Sequence, residues 1–359
     1  MNYHACLAHF PKITYARYAR LKAYFLNLEN LWQAELDEIV KSGIEENIAY
    51  EFLIWKDENP PEKILENLAK EKIRTISLGE KDYPKLLSEI SDPPHTIFIR
   101  GTLPADTKPT LAVVGTRRIT NYGKIICEDL VKGLTKQNIA IISGLALGID
   151  SVAHSATLDN GGQTVAVLGS GIDQTTIYPA AHHQLAEKII GQGGAIISEY
   201  PPKFKPTPYS FPARNRIIAG LSLGTLIIEA PAKSGALITA NYALDYNREV
   251  LCVPHALTSP TGAGPNKLIK LGAKLITNTE DILETLNLQF IKQITTPTTN
   301  QAANPIEEKI IKQLTDEPKN IDKIILDTGL DSATVNSALI IMEINGLIKN
   351  LGGMNYIKK

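Results

Sequence analysis

The sequence has too few cysteines for a disulfide framework and lacks the pattern of a zinc site. Its three cysteines, Cys6, Cys127 and Cys252, are an odd number without paired spacing. No apolar run reaches the roughly 18 to 20 residues that a membrane-spanning helix needs. The opening stretch, MNYHACLAHFPKITYARYAR, has neither the continuous apolar segment nor the cleavage site of a signal peptide. We therefore expect a cytoplasmic protein with no membrane partner.

An excess of positive charge is also absent. The chain has 37 Lys and Arg against 38 Asp and Glu, which gives a formal net charge of -1. This balance argues against a globally basic nucleic-acid binder but leaves room for a local basic patch. With 359 residues, 43% of them hydrophobic, the chain is long enough for two or three domains with real cores.

The fingerprints of common cofactor sites are missing. Neither G-x-G-x-x-G nor G-x-x-x-x-G-K-[ST] occurs, so the sequence does not indicate a bound dinucleotide or ATP. His182 and His183 are adjacent and would point about 100° apart on a helix, so they cannot chelate a metal together. We expect no cofactor and no metal.

Apolar patterning separates the chain into zones. Residues 1–58 carry apolar residues at helical spacing, with six Lys and Arg against nine Asp and Glu, and predict a small acidic helical domain. The NPPEK stretch at 59–63 breaks this pattern, because adjacent prolines cannot continue a helix. The polar, aperiodic stretch 287–304 predicts a linker. Residues 305–359 show helix, helix, turn, helix and a Gly-Gly hairpin, which predicts a winged helix.

Between these zones, residues 62–286 predict an α/β domain. Short apolar runs such as LAVVG, IAIIS, TVAVLG, GAIIS, TLIIEA and EVLCVP alternate with Gly/Ser-rich turns and helical stretches. Nearly continuous apolar strands that alternate with helices are typical of a parallel sheet covered on both faces. The right-handed crossover rule then predicts a Rossmann-like, doubly wound, mostly parallel sheet.

The turns of this predicted sheet carry glycines and cations. In an open parallel sheet they lie at the carboxyl ends of the strands, where ligands bind, and exposed helix starts there favour anions. Each turn alone is typical of ordinary structure, but together they indicate a phosphate-bearing ligand. The predicted phosphate-binding residues are Gly115, Arg117, Arg118, Gly144, Gly169, Arg214, Asn215, Arg216, Lys233, Ser234 and Gly235.

Two further groups of residues allow a structural and a functional interpretation. Asp150 and His154 lie four residues apart and could act in catalysis, but a helix cap and a packed histidine explain them more simply. Tyr200, Tyr209 and Phe211 could stack on unpaired bases, or could pack beside the proline-rich stretch YPPKFKPTPYSFP.

Six stretches, in order, resemble the DNA-processing protein A (DprA/Smf) family over about residues 75–280. They are AVVGTRRITNYG, ISGLALGIDSVAHSATL, GGQTVAVLGSGID, GGAIISEYPP, FPARNRIIAGLS and SGALITA. The resemblance implies a non-enzymatic protein that binds single-stranded DNA, dimerises through its Rossmann domain and loads the RecA recombinase during natural transformation. It also implies an N-terminal module similar to a sterile alpha motif or helix-hairpin-helix, and a C-terminal winged helix.

The resemblance assigns DNA contacts to Arg117 and Arg214. The sequence departs from the family pattern at Leu147, Ala180 and His255, where a basic residue, a lysine and a glycine are usual. Two lost positive charges imply weaker binding with a different salt dependence. The predicted recognition helix SATVNSALIIMEING has no Lys or Arg, so we expect the winged helix to contact a protein or its own Rossmann domain and not to read duplex DNA.

Two alternatives to DNA binding stay open. GLSLGTLIIEAP distantly resembles a motif of the lysine-decarboxylase-like family, whose members hydrolyse nucleoside monophosphates; Arg214 or Arg216 and Glu229 would then be catalytic. A protein-interaction scaffold with a vestigial DNA site would also fit the lost charges.

Overall fold

The computed structural model describes residues 1–288, 305–314, 318–344 and 347–358. The chain divides into two compact units, Met1–Leu286 and Asn287–Lys359, and each is described by itself. Of the predicted linker 287–304, residues 289–304 lie outside the described part of the chain. The domain boundaries inferred from the sequence therefore stay predictions.

The first unit opens with six short helices: α1 (Tyr3–Leu7), α2 (Tyr15–Tyr24), α3 (Leu28–Gln33), α4 (Leu36–Lys41), α5 (Glu46–Glu58) and α6 (Pro61–Lys70). Helix α6 begins directly at a proline, which is tolerated at the first position of a helix and not in its interior. Leu7, Leu31 and Phe52 share a core of their own, whereas Ile64 of α6 belongs to the same core as Phe98 of the sheet. The helices are thus joined to the sheet by apolar contacts.

A nine-stranded sheet follows. Its strands are β1 (Arg74–Ser77), β2 (Thr96–Gly101), β3 (Thr110–Val114), β4 (Ala140–Ser143), β5 (Thr164–Val167), β6 (Ala195–Ser198), β7 (Gly224–Ile227), β8 (Glu249–Cys252) and β9 (Lys274–Leu275). Their order is β1-β2-β6-β5-β4-β3-β7-β8-β9. The pairs β1–β2 and β2–β6 are antiparallel, and all pairs from β6 to β9 are parallel.

Helices cover both faces of the sheet: α7 (Lys85–Ser88), α8 (Asn121–Lys136), α9 (Ile149–Asp159), α10 (His183–Gly191), α11 (Ser210–Gly220), α12 (Gly235–Asp245), α13 (Ala263–Lys270) and α14 (Thr279–Thr285). Ile217 of α11 and Ala240 of α12 belong to one core, and Leu158 of α9 and Ile189 of α10 to another. Every residue of β3 is buried, as expected for a strand covered on both sides. The predicted Rossmann-like, mostly parallel sheet is confirmed.

The strand order reverses direction at β3. From β3 the chain builds β4, β5 and β6 on one side and then crosses back to place β7 and β8 on the other. In open α/β sheets the crevice at such a reversal, outside the carboxyl ends of the strands, is where ligands bind. The turns after β3 and β7 flank this crevice.

The second unit contains α15 (Pro305–Ile311), β10 (Lys319–Asn320), α16 (Ile321–Thr328), α17 (Ser332–Ile344), β11 (Ile348–Asn350) and β12 (Asn355–Lys358). The strands form an antiparallel sheet in the order β10-β12-β11, and Gly352 and Gly353 turn the last hairpin with positive φ. The predicted winged helix is confirmed. Ile340 and Ile341 of α17 are 57% and 48% exposed, so this helix presents apolar side chains on its surface.

Within the described ranges, no single helix is long and apolar enough to cross a bilayer. The helices Ile321–Thr328 and Ser332–Glu343 would pass such a test only as a pair, and they are bent by 115° at their junction.

Candidate nucleic-acid interface

A cavity of about 520 Å³ occupies the crevice at the strand reversal. The turn after β3, the start of α11 and the start of α12 form its walls. Seven of the residues predicted from the sequence line it: Gly115, Arg117, Arg214, Asn215, Lys233, Ser234 and Gly235. Gly144 lines a smaller adjoining cavity with Leu147 and Tyr178. The structure therefore brings most of the predicted phosphate-binding residues to one place.

Two exposed cations stand at the edge of the cavity. Arg117 follows β3, and its guanidinium lies 5.6 Å from the centre of the Phe211 ring, which is a cation–π contact. Lys233 follows β7 and is exposed beside the start of α12. Among the residues that the structure describes, no carboxylate is ion-paired with either cation. The Asp150 carboxylate interacts with Arg117 electrostatically without an ion pair, and both cations are exposed to an incoming anion.

The N-terminus of α12 adds a second source of positive potential. Ser234 is its N-cap and accepts a hydrogen bond from Ala236 N at 3.3 Å. The Asn215 amide donates to Gly235 O at 3.2 Å, which fixes the helix start against α11. Because the first N–H groups of a helix carry partial positive charge, this corner of the cavity favours a phosphate or another anion.

Arg214 lies at the base of the cavity and not at its edge. It is 5% exposed, and its Nη1 donates to Gly144 O at 2.8 Å and also to Val167 O. These carbonyls follow β4 and end β5, so the side chain ties α11 to two strand ends. Burial lowers the pKa of Arg214 to about 10, and the nearby Asp150 carboxylate opposes this shift. The guanidinium stays charged at neutral pH, but Nη1 is already committed to protein carbonyls.

Asp150 shares this buried position. Its Oδ2 accepts hydrogen bonds from Gly144 N at 3.0 Å and Ala146 N at 3.4 Å. Burial raises the pKa of Asp150, while the Arg214 guanidinium and these bonds work against the rise. A Cβ on Gly144 would stand 2.6 Å from Arg214 Nη2 and 2.7 Å from Asp150 Oδ2, so only glycine fits between them. The carboxylate thus shapes the 144–148 turn and is a structural group. The predicted helix cap is wrong, because Gly148 is the N-cap of α9 and Asp150 binds N–H groups that precede the helix.

The 144–148 turn also contacts the backbone directly before Arg117. Gly148 has φ +84°, and a Cβ there would stand 2.2 Å from Thr116 O. Ile149 N donates to that same oxygen at 3.2 Å. The turn that holds Arg117 is therefore fixed by a close backbone approach that requires glycine.

Three predicted residues lie outside the cavity. Arg216 pairs with Glu199 at 2.7 Å and with Asp92 at 3.1 Å. Burial works to lower its pKa, but the acidic neighbours, chiefly Glu199 and Asp92, together raise it. Arg118 is exposed but does not line the cavity. Gly169 O accepts from Ser210 Oγ at 2.5 Å, which anchors the start of α11. Of these three residues, only Arg118 has a side chain that is free to contact a ligand.

The groups considered for catalysis are engaged elsewhere. Glu229 is 1% exposed and accepts hydrogen bonds from Thr120 N at 3.0 Å, Thr120 Oγ1 at 2.6 Å and Thr261 Oγ1 at 3.0 Å, at the start of α8. His154 is fully buried, and its Nδ1 is 2.7 Å from Thr164 Oγ1. Burial lowers its pKa to about 3. In the described part of the chain, no three His, Cys, Asp or Glu residues are grouped to hold a metal.

Replacing Glu229 by alanine tests the hydrolase alternative. The change removes three hydrogen bonds to a buried carboxylate, and we expect it to lower the free energy of unfolding by about 2 to 4 kcal/mol. Urea titration would measure this loss. A catalytic role would appear instead as release of free base from a nucleoside monophosphate by the wild type, abolished by Glu229→Gln.

Sequence reasoning missed the apolar part of the cavity wall. Pro208, Pro212, Ile218 and Pro231 line it together with Phe211. The sequence left two interpretations of Phe211 open, base stacking and packing beside the proline-rich stretch, and its ring lies 5.5 Å from that of Tyr178. The sequence did contain a signal for this apolar wall. A proline lies within each of the stretches FPARN and EAPAK, at the starts of the two helices that face the crevice.

The fold and the cavity define a class: doubly wound α/β proteins with a cavity lined by cationic side chains at the strand reversal. The sequence model described as DNA recombination-mediator protein A matches residues 74–287, and that described as DprA winged helix domain matches residues 295–354. The chain belongs to the DNA recombination-mediator protein A family. This confirms the family resemblance inferred from the six motifs.

Individual relatives agree with this assignment. "Protein Smf" of Synechocystis sp. is 34% identical over 95% of this chain and 94% of its own length. The X-ray structure of DNA processing protein A from Streptococcus pneumoniae matches with a TM-score of 0.66 and 36% identity, over 79% of this chain and 95% of that one. A structure of the Helicobacter pylori protein, described by its single-stranded DNA binding mode, matches with a TM-score of 0.53 and 32% identity, over 60% of this chain and 96% of that one.

Proposed function

We propose that this protein binds single-stranded DNA at the 520 Å³ cavity and acts as a DNA-processing protein without catalysing a reaction. The observation that carries the proposal is that Arg117 and Lys233, which have no ion-pair partner among the described residues, line one cavity together with the N-terminus of α12. Phosphates would bind these cations and the helix start. The single-stranded DNA binding described for the Helicobacter pylori relative supports the proposal.

Two features favour a single strand over a duplex. A cavity of about 520 Å³ is comparable to a small-molecule site and has no room for a paired helix. Phe211 stands at its edge with Arg117 packed on the ring, and aromatic groups beside cations are the usual platform for unpaired bases. Phosphate contacts and base stacking of this kind need no side chains that read base edges in a duplex groove.

The surroundings of Asp150, Glu229 and His154 favour a binding function over a catalytic one. Asp150 and Glu229 are held by hydrogen bonds from the protein, and His154 is buried away from the cavity lining. A general base must reach the proton that it removes. Glu229 and His154 do not line the cavity, and Asp150, which does line it, has its Oδ2 engaged by two backbone N–H groups.

Family membership also supports finer roles. We propose that the protein acts in the cytoplasm, forms a homodimer through its Rossmann-like domain and loads the RecA recombinase on incoming strands during natural transformation. The sheet edge at β9, with Leu271 73% and Leu275 49% exposed, offers an apolar surface that a second copy could cover. Light scattering would measure the dimer, and RecA-dependent strand exchange with and without this protein would measure loading.

A salt series with labelled oligothymidylate tests the DNA site. We expect Arg117→Gln and Lys233→Gln each to weaken binding, and each to make the slope of log affinity against log salt shallower by about 0.7, the value for one phosphate on a single strand. Lys136→Gln, an exposed lysine on α8 away from the cavity, is the matched control. If the wild type fails to bind even at low salt, the DNA proposal is wrong and the scaffold alternative gains support.

A further inference from the structure

The proline-rich loop between β6 and α11, residues 200–209, continues the cavity wall outward. Pro208 lines the cavity, and the loop ends where Phe211 begins the contact with Arg117. Four prolines, at 201, 202, 206 and 208, exclude helix and ladder pairing along this stretch. The loop therefore runs over the surface directly beside the proposed DNA site.

Hydrogen bonds hold this loop in one conformation. Asp173 Oδ2 accepts from Lys203 N at 2.6 Å, and Gly171 N donates to Phe204 O at 2.9 Å. Tyr200 and Phe204 stack with ring centres 4.2 Å apart and planes within 9°. Lys203 is kept at φ +68°, a conformation that non-glycine residues adopt only when their surroundings impose it.

The rigid loop directs its cations and one aromatic ring into solvent. Lys203 and Lys205 are exposed, and Tyr209 is 85% exposed. Neither lysine is ion-paired within the described residues. Two acids beside the loop are already engaged: Asp173 by the loop and its own turn, and Glu199 by Arg216.

We infer that the 200–209 loop is a second contact site for single-stranded nucleic acid, which receives the strand as it leaves the cavity. Lys203 and Lys205 bind backbone phosphates, and Tyr209 stacks on an unpaired base. The inference rests on the proposed function, because the strand must first occupy the cavity. A loop that is ordered before binding loses little conformational entropy when it contacts the strand, so less of the binding free energy of its two lysines and its tyrosine is offset.

Strand length separates the two sites. We would measure the affinity of labelled oligothymidylates of roughly 4 and roughly 16 nucleotides, the span of site sizes in single-strand binders. The longer probe reaches the loop, and the shorter one is held by the cavity. The variants are Lys203→Gln with Lys205→Gln, and Tyr209→Ala with Tyr209→Phe as its conservative partner.

The expected result is confined to the longer probe. The double lysine variant makes its salt slope shallower by about 1.4, twice the value for one phosphate. Tyr209→Ala weakens its binding on the order of tenfold, and Tyr209→Phe retains it. Affinity for the shorter probe stays at the wild-type value in every variant.

Matched controls remove the same charge and the same ring elsewhere. Lys63→Gln with Lys136→Gln has the same net charge change on distant surfaces, and Tyr50→Ala removes a tyrosine that is 58% exposed on α5. The inference is overturned if the controls match the loop variants, if both probes weaken equally, or if the longer probe is unaffected. A wild type that binds neither probe overturns the proposed function itself.

Discussion

Replacing Arg214 by alanine is expected to lower the free energy of unfolding by about 3 to 5 kcal/mol, with DNA binding lost only as a consequence. The change removes the hydrogen bonds to Gly144 O and Val167 O. It also leaves the Asp150 carboxylate buried without the guanidinium that opposes the rise in its pKa. An uncompensated buried charge accounts for the size of this effect.

The measurement is urea unfolding of the wild type, Arg214→Ala, and Arg214→Met combined with Asp150→Ala. Removing both charges avoids the unpaired carboxylate, so the double variant should recover much of the lost stability. Arg117→Gln is the contrasting variant: its exposed side chain should cost almost no stability but should weaken binding. An Arg214→Ala protein of wild-type stability that has lost DNA affinity would show instead that Arg214 contacts the ligand directly.

The difference between these two arginines explains how far the sequence predicts the site. Both were predicted at turns or helix starts at the strand ends, and both line the cavity, Arg117 exposed and Arg214 buried. Helical spacing in the sequence indicates which of the two arginines is buried. Arg214 begins an i, i+3, i+4, i+7 series with Ile217, Ile218 and Leu221, and all four residues are buried. The spacing therefore contained a signal that Arg214 lies on the core side of α11.

The partners of Arg216 could not be predicted in this way. Asp92 lies 124 positions away in the chain, and Glu199 lies 17 positions away beyond a proline-rich loop. Neither distance corresponds to a local periodicity, so only the tertiary fold reveals that this guanidinium is neutralised. By contrast, the sheet was predictable because its short apolar strands alternate with helices and glycine turns, which is a purely local pattern.

Acid should destabilise the protein well before its carboxylates titrate. Burial lowers the pKa of His154 to about 3 and that of His95 to about 4, while the same groups in the unfolded chain titrate near 6.5. Above pH 6.5 both states are neutral and these groups contribute nothing. As pH falls below 6.5, His95 and His154 bind protons in the unfolded chain but stay neutral in the folded protein. Stability then declines by about 1.4 kcal/mol per pH unit for each group.

Between pH 6.5 and pH 4.5 the expected loss is on the order of 5 kcal/mol, summed over both histidines. Asp150 acts in the opposite direction, since burial raises its pKa, and His4 and His9, whose pKa values burial also lowers, add to the loss. Urea unfolding at several pH values measures the slope, and His95→Gln should reduce it by about one proton. His95, directly before β2, stacks on Tyr18 of α2 with ring centres 4.6 Å apart, so its protonation places a charge in a desolvated contact between these elements. Stability that stayed constant from pH 6.5 to pH 4.5 would mean that these histidines become protonated within the folded protein.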